Sequence, residues 1–148
     1  MKIIDTTTFF EENMIMDIRF NILNPYVHKF IVCESVYTHS GKKKNINFDV
    51  NDHPKFKNKI IHLILKNEPD NLIKSENLTN QEKRINSIYR IRDQRNFIKN
   101  NLNEFSSEDF IIYSDNDEIP NLEKFDLKAT KKKFVIFDQQ IFYYKFNL

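Results

Sequence analysis

The sequence predicts a single α/β domain built on a largely parallel sheet. Three observations carry this expectation. Apolar runs of strand length alternate with longer stretches whose apolar residues recur every three or four positions. The 148 residues suit one domain, 1–148, rather than two. Hydrophobic residues make up 40% of the chain, enough for a core between sheet and helices.

Lys2 to Asp5 reads as a short opening strand. Thr8 and Glu11 have the spacing of a capping box. Met14, Ile18 and Ile22, with Ile15 beside them, repeat with helical period and are expected to form the buried face of a first helix. Asn24-Pro25 ends that helix, because a proline disfavours helical geometry in the residue before it. Lys29 to Glu34 is a second strand. Ser35 to Asn47 is polar and contains Thr38-His39-Ser40-Gly41, a loop. Lys59 to Leu65 reads as a third strand, and Asn67 to Asn80 as a polar connection. Gln81 to Phe105 is the strongest helix, with Ile91, Ile98, Leu102 and Phe105 on one side. Asp109 to Ser114 is a buried strand, and Phe134 to Phe137 and Ile141 to Phe146 read as two more. In sheets of this kind ligands bind beyond the carboxyl ends of the strands. The residues just after Ile4, Cys33 and Tyr113 therefore matter most.

Composition excludes several classes. Charged residues are 30% of the chain, yet the net charge is only +2, so there is no broad attraction to nucleic acid. Lys42 to Lys44 and Lys131 to Lys133 read as solvated loops. The lone cysteine, Cys33, follows the apolar run Phe30-Ile31-Val32 and reads as a small buried hydrophobe. No internal disulfide is possible, which suits a reducing compartment. No segment approaches the ~20 apolar residues of a membrane span, and the N-terminus lacks the pattern of a signal peptide. A cytoplasmic protein without a transmembrane segment is expected. His28, His39, His53 and His62 have no zinc-ligand spacing. Gly41 is the only glycine and is informative for that reason.

The chemistry concentrates at one strand end. Phe110-Ile111-Ile112-Tyr113 leads into Ser114-Asp115-Asn116-Asp117-Glu118, with three carboxylates in four positions. Such crowding is unfavourable unless a cation or hydrogen-bond donors compensate it. Two oxygens from an Asp-x-Asp can hold a hard divalent ion and leave its other coordination positions to phosphate and water. The competing reading is a surface turn. Ile85, Ile88, Arg92 and Arg95 share a helix face; the arginines can reach a diphosphate or pair with the carboxylates themselves, Asp115 for example. Glu34-Ser35 at the second strand exit can hydrogen-bond a nucleobase or ribose, as can His39, or can serve as an ordinary loop cap.

Taken in order, these segments resemble glycosyltransferase family 17, which includes the β-1,4-mannosyl-glycoprotein N-acetylglucosaminyltransferases. Asp5-Thr6-Thr7-Thr8-Phe9-Phe10-Glu11-Glu12 resembles the family's opening strand and turn, and Asp17-Ile18-Arg19-Phe20-Asn21 its first helix. Val32-Cys33-Glu34-Ser35 with Thr38-His39-Ser40-Gly41 resembles its second-strand segment. Arg92-Asp93-Gln94-Arg95-Asn96 resembles its arginine-bearing helix, and Ser114 to Pro120 its acidic signature. The resemblance implies a GT-A-like, Rossmann-type nucleotide-sugar-binding domain and an inverting transfer, with UDP-GlcNAc as donor and a glycan or glycolipid as acceptor. It implies Asp115 and Asp117 as ligands of Mn2+ or Mg2+, with Asp115, Glu34, Ser35, Arg92 and Arg95 along the donor site.

The chain stops at Tyr143-Tyr144-Lys145-Phe146-Asn147-Leu148, where the family continues, so a C-terminally shortened form is expected. An inverting displacement needs a group to take the acceptor proton. After the acidic cluster only Glu123, Asp126 and Asp138 remain, and Asp138 is the candidate base. Two other readings stand beside a transferase: a nucleotide-sugar-binding remnant without turnover, and a metal-dependent phosphoesterase. An open sheet edge also raises the expectation of a homodimer.

Overall fold

The computed structural model describes residues 1–127, 129–130 and 132–139. Four strands form one all-parallel sheet: β1 (Ile3–Phe9), β2 (Lys29–Ser35), β3 (Ile60–Leu65) and β4 (Phe110–Tyr113). Helix α1 (Asn13–Leu23) links β1 to β2, and α2 (Asn80–Asn100) precedes β4. The strand order is β3-β2-β1-β4. The chain thus grows outward from β1 in one direction and then returns to its other side, a Rossmann-like arrangement. The reversal places a crevice beyond the carboxyl ends of β1, β2 and β4.

Strand alternation sorts side chains onto two faces. Ile3 and Phe9 of β1, Phe30 and Val32 of β2, and Ile112 of β4 meet α1 through Met16, Phe20 and Leu23. Phe48 and Phe56 complete this larger core, with Phe20 and Phe30 ring centroids 4.8 Å apart. On the opposite face Ile4, Ile31 and Cys33 meet Ile98 of α2. Two polar pairs cross these layers. Asp5, on the α1 face of β1, meets Arg19. On the α2 face, Gln94 Nε2 donates to the Cys33 carbonyl at 2.8 Å.

Several sequence expectations need correction. The first concerns α1, whose buried side is Met16, Arg19, Phe20 and Leu23. Met14, Ile18 and Ile22 are exposed. The helix carries two apolar stripes, and the one that includes Arg19 turns inward because Asp5, buried in β1, needs a cationic partner. Second, Thr8 does not cap α1. The strand runs on through the β-branched Thr6-Thr7-Thr8 to Phe9, and Glu12 occupies the cap position without a side-chain capping bond. Third, Phe134 to Phe137 forms no strand. Phe134 and Ile136 are exposed at 88% and 89%, and Phe137 instead packs edge-on against Phe125. The strand expected at Ile141 to Phe146 lies outside the described residues.

Helix α2 begins at a capping box formed by Thr79 and Glu82 and ends at Asn100. Leu102 and Phe105, expected inside it, lie just beyond and still pack on the smaller core. Among the described residues no helix is long and apolar enough to cross a membrane.

Candidate donor and metal site

A cavity of about 300 Å³ occupies the crevice at the sheet's carboxyl edge. Each wall comes from a strand exit or from α2. Thr8 and Phe9 end β1, and Phe10 and Glu12 follow it; Ser35 ends β2, and Tyr37, His39 and Lys44 follow it; Asp115, Asn116 and Asp117 follow β4; Ile91, Gln94 and Arg95 face in from α2.

The acidic turn after β4 is held from beneath by Arg19, whose side chain is completely buried. Its Nε and Nη2 donate to the two oxygens of Asp5 at 2.8 and 2.7 Å, a bidentate pair. Nη2 also donates to Ser114 Oγ at 2.7 Å. Nη1 donates to the carbonyls of Asp115, Asn116 and Glu118 at 3.0, 3.2 and 3.2 Å. One guanidinium therefore gathers three carbonyls of the turn, leaving the Asp115 and Asp117 side chains on the cavity side. The Asp115 N–H donates to Glu118 Oε2 at 3.1 Å, which closes the turn on itself.

Asp115 and Asp117 differ in what they meet. Asp115 Oδ1 accepts from Arg95 Nη2 at 3.2 Å, and Arg95 lies over the Tyr113 ring. Among the described residues Asp117 has no hydrogen-bonding or ionic partner for its carboxylate. Two exposed carboxylates offer the hard oxygens that Mg2+ or Mn2+ prefers. Among the described residues no third histidine, cysteine or acid joins them in a cluster that could hold a metal. The donor set therefore fits a cation whose remaining coordination comes from a ligand's oxygens and from water.

The other sequence candidates fall in different places. Ser35 lines the cavity, and its Oγ accepts the Tyr37 N–H at 3.1 Å. Glu34, its neighbour, points to the opposite face of β2 and is fully buried. Its Oε1 takes the Lys44 ammonium and the Asn47 N–H, and its Oε2 the Phe48 N–H at 3.0 Å. Burial opposes its ionisation, but the His62 imidazole, the Lys44 ammonium and these N–H groups outweigh it and hold the carboxyl down at about 2. Glu34 thus anchors the loop that carries Lys44 to the cavity wall. Arg95 lines the cavity, whereas Arg92 is exposed and stacks on Tyr89. Asp138 is exposed and lies outside the cavity lining.

Sequence reasoning missed the Asp5–Arg19 pair and Glu12. The signal for the pair was an acid within an apolar strand and an arginine in register with Met16, Phe20 and Leu23. Glu12 reaches the cavity because its Oε2 accepts the Phe10 and Glu11 N–H groups at 2.9 and 3.0 Å, folding the side chain back over the turn. No sequence pattern distinguishes it from Glu11.

Comparison with known proteins adds one finding: the model of glycosyltransferase family 17 matches residues 1–146. No curated protein and no solved structure gives a significant match.

Proposed function

We propose, from the premise that this chain belongs to glycosyltransferase family 17, that its cavity holds UDP-GlcNAc with Mn2+ or Mg2+ and transfers the sugar to a hydroxyl of a glycan or glycolipid. The observation that carries this reading is the pairing of Asp115 and Asp117 on one wall of a crevice at the strand-order reversal. Asp117, whose carboxylate has no protein partner among the described residues, and Asp115, shared with Arg95, would hold the ion. The ion would supply positive charge to a departing diphosphate. Arg95 can exchange its bond to Asp115 for a phosphate oxygen.

Transfer with inversion forms a bond from the acceptor oxygen to the anomeric carbon as the bond to the diphosphate breaks. The hydroxyl proton must pass to a base. Glu12 and His39 line the cavity and can accept it; the exposed position of Asp138 does not support that residue in the role. The second reading, donor binding without turnover, draws on that same displacement of Asp138 from the cavity.

Calorimetric titration with UDP-GlcNAc, in manganese and in chelator, tests the proposal on the native chain and on Asp117→Ala. Because the Asp117 side chain is exposed, its removal leaves the fold intact. Metal-dependent binding that disappears in the variant is the expected result. Binding indifferent to both metal and Asp117, or no binding, would refute the site. Binding without release of UDP on adding glycan acceptors would favour the second reading.

A further inference from the structure

A second cavity, about 230 Å³, opens against the first half of α2. Lys83, Arg84 and Arg90 line it, with the hydroxyl residues Ser40 and Ser87, and no carboxylate or aromatic side chain does. Arg90 is already neutralised, since its Nε donates to Glu68 Oε1 at 2.6 Å. Lys83 and Arg84 have no ion pair or side-chain hydrogen bond among the described residues. Lys83, Ser87 and Arg90 follow one another at four and three residues, so they share one helix face. The one acid in the first turn of α2, Glu82, is turned back onto Thr79 in the capping box and pairs with neither cation.

The partition between the two cavities is the Thr38–Gly41 turn. His39 lines the first cavity and Ser40 the second, so only one peptide unit separates them. Arg90 pins the partition by donating from Nη1 to the His39 carbonyl at 3.3 Å. Gly41 allows this approach: its φ is +89°, and a Cβ there would stand 2.5 Å from Arg90 Nη2.

We propose that the second cavity binds an oxyanion carried by the acceptor, so that the acceptor is an anionic glycan or glycolipid. This rests on the transferase reading above. Guanidinium, ammonium and hydroxyl donors suit the oxygens of a phosphate or a carboxylate. The lining has no aromatic face on which a base could stack. An acceptor anchored here places its neighbouring sugar across one turn from the donor.

Amide chemical shifts of the full chain, followed during titration with inorganic phosphate and separately with glucuronate, test the proposal. Saturable shifts at Ser40, Lys83, Arg84 and Ser87 are expected with at least one probe, and the stronger probe identifies phosphate or carboxylate as the source. Lys83→Gln/Arg84→Gln, on the exposed side of α2, should weaken binding by roughly tenfold or more, and Arg95→Gln should leave it unchanged. Saturating UDP-GlcNAc with magnesium should leave the anion bound. Absence of saturation, or equal affinity in the double variant, would overturn the proposal; so would displacement by UDP-GlcNAc, which would give the cavity to the donor. Loss of anion binding with donor binding intact sinks this inference alone. Anion binding without donor binding sinks the transferase reading, and the assignment to an acceptor with it.

Discussion

Arg19→Met removes the guanidinium and leaves Asp5, which is 1% exposed, without its partner. The three carbonyls that lose Nη1 belong to a turn near solvent, where water can replace the donor cheaply. Asp5 has no such replacement. Breaking a buried ion pair from one side costs about 3–5 kcal/mol, a large part of the ~5–15 kcal/mol that holds a typical domain together. The double variant Arg19→Met/Asp5→Leu removes both charges, and its stability should return to within about 2 kcal/mol of the parent. Donor binding should not return, because the carbonyls of Asp115, Asn116 and Glu118 are still untethered. Urea unfolding reads the first quantity, and calorimetric titration with UDP-GlcNAc and manganese the second. A loss below about 1 kcal/mol in the single variant would refute the buried-pair argument. Full metal-dependent binding in the double variant would refute the claim that Arg19 shapes the acidic turn.

Three further outcomes follow from named contacts. Glu34 is held at about 2, below its ordinary value of 4.5; its stabilising contribution is complete above 4.5 and is lost as pH falls toward 2. Glu34→Gln should flatten acid unfolding in that window, where the full effect is on the order of 3 kcal/mol, and an unchanged acid profile would count against the Lys44–Glu34–Phe48 arrangement. Gly41→Ala must adopt a positive φ and push on an arginine held by Glu68 and His39, so a loss of about 1–3 kcal/mol in thermal or urea unfolding is expected; a neutral result would mean that the turn rearranges freely. Cys33, whose thiol burial pushes up to about 12, should resist thiol reagents in the native state and react only on unfolding, and rapid native labelling would contradict its place between the sheet and α2.

Strands β2 and β4 were legible because their apolar runs are short and bounded by polar loops: Lys29–Ser35 and Phe110–Tyr113 lie within a residue of expectation. The acidic turn was legible because strand ends in parallel sheets face ligands, so position in the pattern marked Asp115 and Asp117 for attention. The orientation of α1 was not legible. Met14-Ile18-Ile22 and Met16-Phe20-Leu23 are comparable apolar stripes in sequence, and hydrophobicity alone does not choose between them.

The sequence by itself determined the class of fold, the family and the position of the acidic turn at the carboxyl end of β4. These depend on local periodicity and on short motifs, both written in consecutive residues. Tertiary structure decided which stripe of α1 turned inward, that Glu34 serves a loop while Ser35 faces the cavity, and that Arg95 reaches Asp115 while Arg92 stacks on Tyr89. The inward turn of α1 depends on a partner distant in the chain, Arg19 on Asp5, and on the need of a buried charge for a counter-charge; Arg95 meets Asp115 only because the fold sets α2 beside the exit of β4. Pairing of that kind is a property of the assembled sheet and helices, set by distances that no run of neighbouring residues encodes.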